Sequence, residues 1–573
     1  MQRLKQLYKY SEGYRTAFFL LPLAVLAQVA MQTWIPYLMG DMLDNGIYAS
    51  DTAFIRSQGI LMLIAAVIMM AAGLLVSYLV AVWSSGVTTN LRNALFIRVQ
   101  ELSFSDADSY GTASILTRMS TDMLYLKKAL GMINSLISCP ITIIVTAFVT
   151  FRAYRSVSGV FIGSACGLIL VNFFVVKYAL RHYRRMFTYY DSMNEMLAEN
   201  ITAQKTVKAY ARADYEDSRF GRIIESLRRE TRIAETLTVM NEPLLNLVIN
   251  GSILAIILIS GKQIVAGTLQ TGDFFCLISY AEQILLEISV VALIMVPILN
   301  AQVSMNRICE IIEVSPSVSD AAEPAGAPAD GSVVYSDVAM SYYEGKHVLE
   351  DINLEIKPGE FVGIIGSSGS GKTSLINLIP RFYDCAEGSV SVGGRDVRSY
   401  ALSDLRGAIG LVPQTSLLFS GTIADNLRWG NEDASAEEIV SACVAAGAND
   451  FVMGFPDGYE TVISQGGTTV SGGQRQRLCI ARALVRKPQI LILDDSLSAV
   501  DNATERLILR SLNQLKGKTT VIMVSQRFTS VRDADRIIVL NDGRIDAAGT
   551  HDELLESSKV YREIYETQRR TMA

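Results

Sequence analysis

The sequence predicts two fold classes in series: an α-helical membrane domain with six transmembrane helices, followed by an α/β domain built on a mainly parallel sheet. Three observations carry this. At 573 residues the chain is longer than a single hydrophobic core accommodates. Half of its residues are hydrophobic and its mean hydropathy is +0.29. That apolar excess is also segregated, because the long apolar runs all precede about residue 300 and the charged, motif-bearing sequence follows about residue 330.

Crossing ~30 Å of hydrocarbon takes about 20 helical residues. Six stretches satisfy this, at 16–39, 58–82, 129–151, 157–180, 240–261 and 274–300. The basic, amphipathic start MQRLKQLYKYSEGYR reads as a retained cytoplasmic elbow before the first of them, since no small-residue cleavage signature follows it. Connections after the first, third and fifth spans are short, and those after the second and fourth are long and charged. Residues 181–235 carry eleven Lys or Arg, which marks a cytoplasmic side, whereas 41–52 is acidic and suits the outside. Arg152 and Arg155 in the third connection run against this pattern, so orientation rests on the long connections, expected to be helical extensions below the bilayer.

Residues 314–331, VSPSVSDAAEPAGAPADG, turn abruptly to Pro, Ala, Ser, Gly and Asp, the composition of a linker. The expected organisation is therefore a membrane domain at 1–313, a linker at 314–331 and an α/β domain at 332–573. In the last, short β-rich runs (VVYSDVAM, EFVGIIG, ILILDD, TTVIMVS, RIIVL) alternate with helical ones, as a parallel sheet requires. A net charge of -6 and a pI near 5.4 argue against a nucleic-acid partner. The seven cysteines form no CxxC pair and are odd in number, which reads as reduced thiols and not as a disulfide frame or metal site.

The strand 361–365 runs into GSSGSGKT, residues 366–373. Gly366, Gly369 and Gly371, with Ser367, Ser368 and Ser370 between them, let backbone N–H groups close around phosphates. Lys372 reaches the β/γ oxygens, Thr373 ligates Mg²⁺, and Ser374 continues into the helix. Downstream, ILILDD ends in two acids, with Asp494 placed to hold Mg²⁺ and Asp495 placed to orient the attacking water. The expected cofactors are ATP and Mg²⁺.

Taken together, the P-loop, VPQ (412–414), SGGQ (471–474), ILILDD, SAVD (498–501) and a strand ending in Ser525, Gln526 and Arg527 resemble an ABC-transporter nucleotide-binding domain. The six spans and long connections resemble the membrane half of an ABC exporter. The resemblance covers essentially the whole chain and is nearest to one subunit of a heterodimeric bacterial multidrug exporter, set in the plasma membrane with its nucleotide domain in the cytoplasm. It implies that two ATPs lie between two such domains, each site using the P-loop of one and the SGGQ segment of the other. On that basis Tyr342, with Tyr343 as a neighbouring candidate, stacks on adenine. Gln414 senses the γ-phosphate and Mg²⁺, Asp501 contacts the opposite site, and Ser471, Gly472, Gly473 and Gln474 serve the partner. Segments near 108–116 and 202–210 look like the coupling helices that seat on the nucleotide domains.

Two departures from the family pattern stand out. Asp495 occupies the place of a general-base glutamate and Gln526 that of a histidine. Aspartate is one methylene shorter, so its carboxylate falls roughly 1 to 1.5 Å short of the water it must position, an error that can cost on the order of 10²-fold in rate. A glutamine donates a hydrogen bond but carries no imidazolium charge. None of the three histidines is placed to compensate: His182 is expected in a loop, His347 precedes the P-loop and His551 follows the last motif. The SGGQ segment is intact apart from Val470 in place of leucine. The expectation is a site that binds ATP and hydrolyses it slowly, with a partner half-transporter that supplies an intact Glu and His and carries a damaged SGGQ.

In the membrane half, Glu242, Asn246 and Asn250 recur at i, i+4 and i+8 on one helix face, and Glu282 and Glu287 fall within or near the last span. Acids at membrane depth face a cavity or a partner group; here they mark either a substrate path or interhelical hydrogen bonding. The expected cargo is amphiphilic, drugs first, with lipids or peptides as alternatives. A different class of function, an ATP-sensing regulatory or channel-like membrane subunit, shares the same motifs, and inward transport through the same fold stays open.

Overall fold

The computed structural model describes residues 2–153, 158–342 and 347–572; Arg155 and Tyr343 lie outside them. The chain divides into two compact units, Met1–Gln100 with Thr112–Val314, and Glu101–Gly111 with Ser315–Ala573.

The first unit is helical. The apolar runs form α1 (Arg15–Asp41), α2 (Thr52–Glu101), then, after the short α3 (Phe104–Tyr110), α4 (Ile133–Ala153), α5 (Ser158–Thr202), α6 (Ala213–Val265) and α7 (Thr271–Glu313). Among the described residues, six helical segments are long and apolar enough to cross a membrane. At 50 and 53 residues, α2 and α6 each exceed the spanning length by about 30 residues, roughly 45 Å of helix. The long connections are thus continuations of the spanning helices. His182 accordingly sits on α5 and not in a loop, with Nδ1 2.7 Å from Glu230 Oε2 on α6.

Near the far end of α7 a buried carboxylate organises the packing. Asp122, fully buried, accepts hydrogen bonds from the Ser304 hydroxyl at 2.8 Å and from the Arg307 guanidinium. Arg118 pairs with Glu310 at 3.0 Å and donates to the Arg307 carbonyl at 3.0 Å. A buried charge is tolerated only when paired and hydrogen-bonded, so this knot ties 118–122 to α7.

Among its described residues the second unit holds twelve strands: β1 (Val333–Met340), β2 (Leu349–Ile356), β3 (Phe361–Gly366), β4 (Glu387–Val392), β5 (Arg395–Asp396), β6 (Ile409–Val412), β7 (Gly421–Thr422), β8 (Val462–Ile463), β9 (Ile490–Asp494), β10 (Thr520–Val524), β11 (Arg536–Asn541) and β12 (Arg544–Gly549). The core sheet runs β12-β11-β3-β10-β9-β6, parallel except for β12. A four-stranded antiparallel sheet, β2-β1-β4-β5, packs beside it.

The central strands are buried on both faces, which explains their unbroken apolar runs. Along β9, Ile490 and Ile492 point to the cluster shared with the antiparallel sheet, and Leu491 and Leu493 point to the helical side. Each of these side chains contributes about 1.5–3 kcal/mol by burial.

Residues 315–331 are anchored within this unit. Ala325 N–H donates to the Ser399 carbonyl at 2.9 Å, and Asp320 accepts from Leu402 N–H at 2.7 Å. Helix α3 belongs to the same unit: Ser103 and Asp106 form a capping box at its start. Its Phe104 ring lies 4.6 Å from that of Phe382, and Asp108 accepts from the Tyr383 hydroxyl at 3.0 Å. The short helix Gln204–Ala209 lies in the first unit and buries none of its residues.

Candidate functional site

The parallel register delivers the motif residues to one edge of the sheet. Val524 of β10 is level with Ile364 of β3 and with Asp494 of β9, and Val412 of β6 is level with Leu493. The loops leaving the C-terminal ends of β3, β9, β10 and β6 carry 366–373, Asp495, Gln526 and Gln414. This is the edge at which ligands collect in open parallel sheets.

After β3 the chain turns through Gly369 (φ 83°) and Gly371 (φ 96°), left-handed conformations that favour glycine. At Gly366 a Cβ would lie 2.2 Å from the Leu540 carbonyl oxygen, so close backbone packing demands glycine there. Ser367, Ser368 and Gly369 are exposed, while Ser370 is buried. Lys372 is buried as α8 (Lys372–Asn377) begins, and its Nζ donates to the carbonyls of Gly366 at 3.0 Å and Ser367 at 2.6 Å. Burial pushes the Lys372 ammonium below the usual lysine range, opposed by the charges of Asp495 and Asp494. Its neighbour Thr373 donates from Oγ1 to Asp494 Oδ2 at 3.0 Å, so a hydroxyl and a carboxylate already converge. Hard oxygen ligands of this kind suit Mg²⁺.

Asp494 is 4% exposed. Burial raises its pKa, countered by the Thr373 hydrogen bond and reinforced by Asp495. Asp495 turns the chain at φ 47°, and its N–H donates to the Val524 carbonyl at 2.9 Å. Its carboxylate, also raised mainly by burial, accepts from Gln526 Nε2 at 3.2 Å. Asp495 and Gln526 are therefore bonded to each other. Gln414 lies exposed on the loop after β6.

Tyr342 is 38% exposed, bonded through its hydroxyl to Ser374 Oγ at 2.9 Å and packed edge-on against Tyr383 at 5.0 Å. Ser471 and Gln474 form a reciprocal capping box at the start of α9 (Gly472–Val485). Gly472 has open space around it, but a Cβ at Gly473 would lie 2.8 Å from the Ala499 carbonyl oxygen. Gln476 clasps that same loop, accepting from Ala499 N–H at 3.1 Å. Asp501 caps α10 (Asn502–Asn513), accepting from Ala503 and Thr504 N–H groups at 3.1 and 3.0 Å. Among the described residues, no hydrogen bond or ion pair joins 471–474 to the 366–374 loop. The fold gathers Lys372, Thr373, Asp494, Asp495 and Gln526, and leaves the 471–474 segment bonded to none of them.

Sequence reasoning missed Gln568, on the C-terminal helix α11 (Lys559–Met572). Its Nε2 donates to the Gln526 carbonyl at 2.6 Å, and its Oε1 accepts from Phe528 N–H at 3.0 Å. The amphipathic pattern of 559–572 signals a docking helix, yet nothing in it singles out this glutamine. Tyr383, which links Tyr342 to Asp108, was missed for the same reason.

In the helical unit, Glu242 and Asn246 line a cavity of about 590 Å³ walled by Val175, Ala179, Leu245, Ile249 and Leu286. Asn250 instead donates to the Asn246 carbonyl at 2.8 Å and does not line it. Glu282 is exposed, and Glu287 is half-buried within hydrogen-bonding reach of the Cys139 thiol.

Residues 18–288 match the family described as ABC transporter transmembrane region, and residues 349–498 match the family described as ABC transporter. An uncharacterized ABC transporter ATP-binding protein of Mycobacterium tuberculosis is 32% identical across 99% of this chain and 98% of its own length. An ATP-dependent lipid A-core flippase of Desulfotalea psychrophila is 30% identical across 99% of both. The solved structure of a bacterial Atm1-family ABC exporter with ATP bound superposes with a TM-score of 0.83, covering 97% of this chain and 98% of that one at 23% identity.

The raised Asp494 pKa has a consequence for stability. Ionising a carboxylate whose folded pKa lies above its unfolded one costs stability; the cost is absent below the unfolded pKa and complete above the folded one. Asp494→Asn keeps an acceptor for Thr373 and removes the charge. The nucleotide-free variant is expected to melt above the parent at about pH 7, with the gain vanishing towards about pH 4; a lower melting temperature at neutral pH would contradict this assignment.

Proposed function

The chain belongs to the ABC transporter family, as an exporter half-transporter of the bacterial inner membrane with a cytoplasmic nucleotide-binding domain, and on that footing we propose that it is the slow-hydrolysing subunit of an asymmetric pair. Its own P-loop site holds Mg-ATP through Lys372, Thr373, Gln414 and Asp494, with Tyr342 against the adenine. Its Ser471, Gly472, Gly473 and Gln474, with Asp501, complete the site of a different half-transporter that carries the intact Glu and His. ATP closes the two nucleotide domains, the coupling segments carry closure to the spans, and the cavity turns outward.

The observation that supports slow hydrolysis best is the 3.2 Å bond between Gln526 and Asp495. A carboxylate already engaged by a neutral amide is poorly placed to take a proton from water, and the amide adds no positive charge for the transition state. The capped start of α9 supports the second half of the reading, since Ser471 and Gly472 are exposed there, where a nucleotide held by another chain can be reached.

The cargo proposed is an amphiphile, either a drug-like molecule or a lipid. The cavity beside Glu242 and Asn246 supports it, since apolar walls meet Tyr183, Thr238, Asn241 and Ser289 there, the mixed lining that an amphiphile fits. The likeness to a lipid A-core flippase favours the lipid variant. Asn250, Glu282 and Glu287 are proposed to flank this path.

Purified alone, the chain is expected to show ATPase near background, and Asp495→Glu combined with Gln526→His to raise turnover on the order of 10²-fold; robust turnover by a verified homodimer of the parent chain would sink the slow-site reading. In inverted vesicles containing the assembled transporter, Glu242→Gln is expected to cut ATP-driven uptake of a cationic amphiphile about tenfold relative to a neutral one. Unchanged selectivity would remove Glu242 from the path.

A further inference from the structure

We propose that the nucleotide-binding domain has a second anion site, separate from the P-loop, which takes a small ligand carrying clustered phosphate groups. The site is a cavity of about 750 Å³ lined by Arg506 and Arg510 of α10, by Arg527 and Arg532 at either end of the short helix Phe528–Val531, and by Gln568 of α11. This assignment does not depend on which nucleotide site hydrolyses ATP.

The charges in this cavity do not balance. Two carboxylates line it against the four arginines, Glu505 and an exposed Asp533, which leaves an excess of two positive charges. Glu505 is buried and committed, accepting from the Ser530 hydroxyl and pairing with Arg527 at 3.5 Å. Arg527 is further tied to the Ser498 carbonyl at 3.1 Å. Among the described residues, the side chains of Arg506, Arg510 and Arg532 have neither an ion pair nor a hydrogen bond. Arg506 and Arg510 stand one turn apart on the same helix, a like-charge arrangement that weakens the helix unless an anion lies between them. Three uncommitted guanidinium forks facing one concavity match several oxyanion groups, each fork able to bind two oxygens. A single carboxylate would leave most of them unpaired, whereas clustered phosphates satisfy them together.

The cavity also adjoins the loop that positions Gln526. Gln568 holds that loop from both sides, through the Gln526 carbonyl and the Phe528 N–H. A ligand contacting Gln568 and Arg527 therefore touches the groups that hold Gln526 against Asp495. Any effect on nucleotide binding must be reciprocal, since coupling between two binding sites is symmetric.

The test uses the full-length chain in phosphatidylcholine nanodiscs at constant ionic strength, with the P-loop filled by saturating Mg-AMP-PNP. Inorganic tripolyphosphate is titrated calorimetrically, and hydrogen exchange is followed over residues 526–532. Expected are one tripolyphosphate per chain beyond the nucleotide, slower exchange in this segment, and a weakening of about 10-fold in Arg510→Gln and about 100-fold when Arg532→Gln is added. Undiminished AMP-PNP binding by both variants reports that they are folded. Nanodiscs doped with phosphatidate distinguish a lipid headgroup from a free phosphate as the source; protection of 526–532 by either supports the site. Protection by neither, or tripolyphosphate binding that the double variant does not weaken, overturns it. Capture of an acidic peptide with no binding of tripolyphosphate also overturns it.

Discussion

The parallel register of β3, β10, β9 and β6 is the constraint on which the rest of the nucleotide domain depends. With Val524 level with both Ile364 and Asp494, four loops emerge at one edge, and residues separated by more than a hundred positions meet within hydrogen-bonding distance. The Thr373–Asp494 bond at 3.0 Å records that alignment most directly. A one-residue slip of β9 would exchange Ile490 and Ile492 for Leu491 and Leu493 between the two faces and carry Asp494 away from Thr373. Burial on both faces enforces the register, so the apolar core determines the geometry of the polar site.

On the reading proposed above, that geometry gives Asp495 and Gln526 a shared role. Their mutual hydrogen bond makes a closed polar unit at the place where a base would be free to receive a proton. Beside it, Lys372 is buried and oriented by backbone carbonyls, and Thr373 is bonded to Asp494, the groups that on this reading would hold phosphate and metal. On the proposed reading, binding and chemistry rest on separable residues, so that one can change without the other.

Much of the fold was legible in the sequence because its signals are local. Apolar runs of spanning length, the GSSGSGKT loop between a strand and a helix, and ILILDD before its turn each carry their structural meaning within about 20 residues. The extent of the helices was less legible: charged stretches such as 181–235 read equally as loop or as helix, and only packing of α5 on α6, with the His182–Glu230 contact, decides. The bonds from Gln568 to Gln526 and from Tyr383 to Asp108 were illegible, since each joins ordinary residues on elements far apart in the chain. The arginine cavity is hidden for the same reason, because its charges come from α10 and from the loop after β10.

The most direct measurement is single-turnover hydrolysis by the chain assembled with its partner half-transporter, with both sites loaded with ATP and the reaction quenched over time. Asymmetry predicts two phases: about half of the bound ATP is consumed quickly, and the remainder, held at Lys372 and Asp494, on the order of 10²-fold more slowly. A single phase that consumes all the bound ATP at one rate would contradict the account.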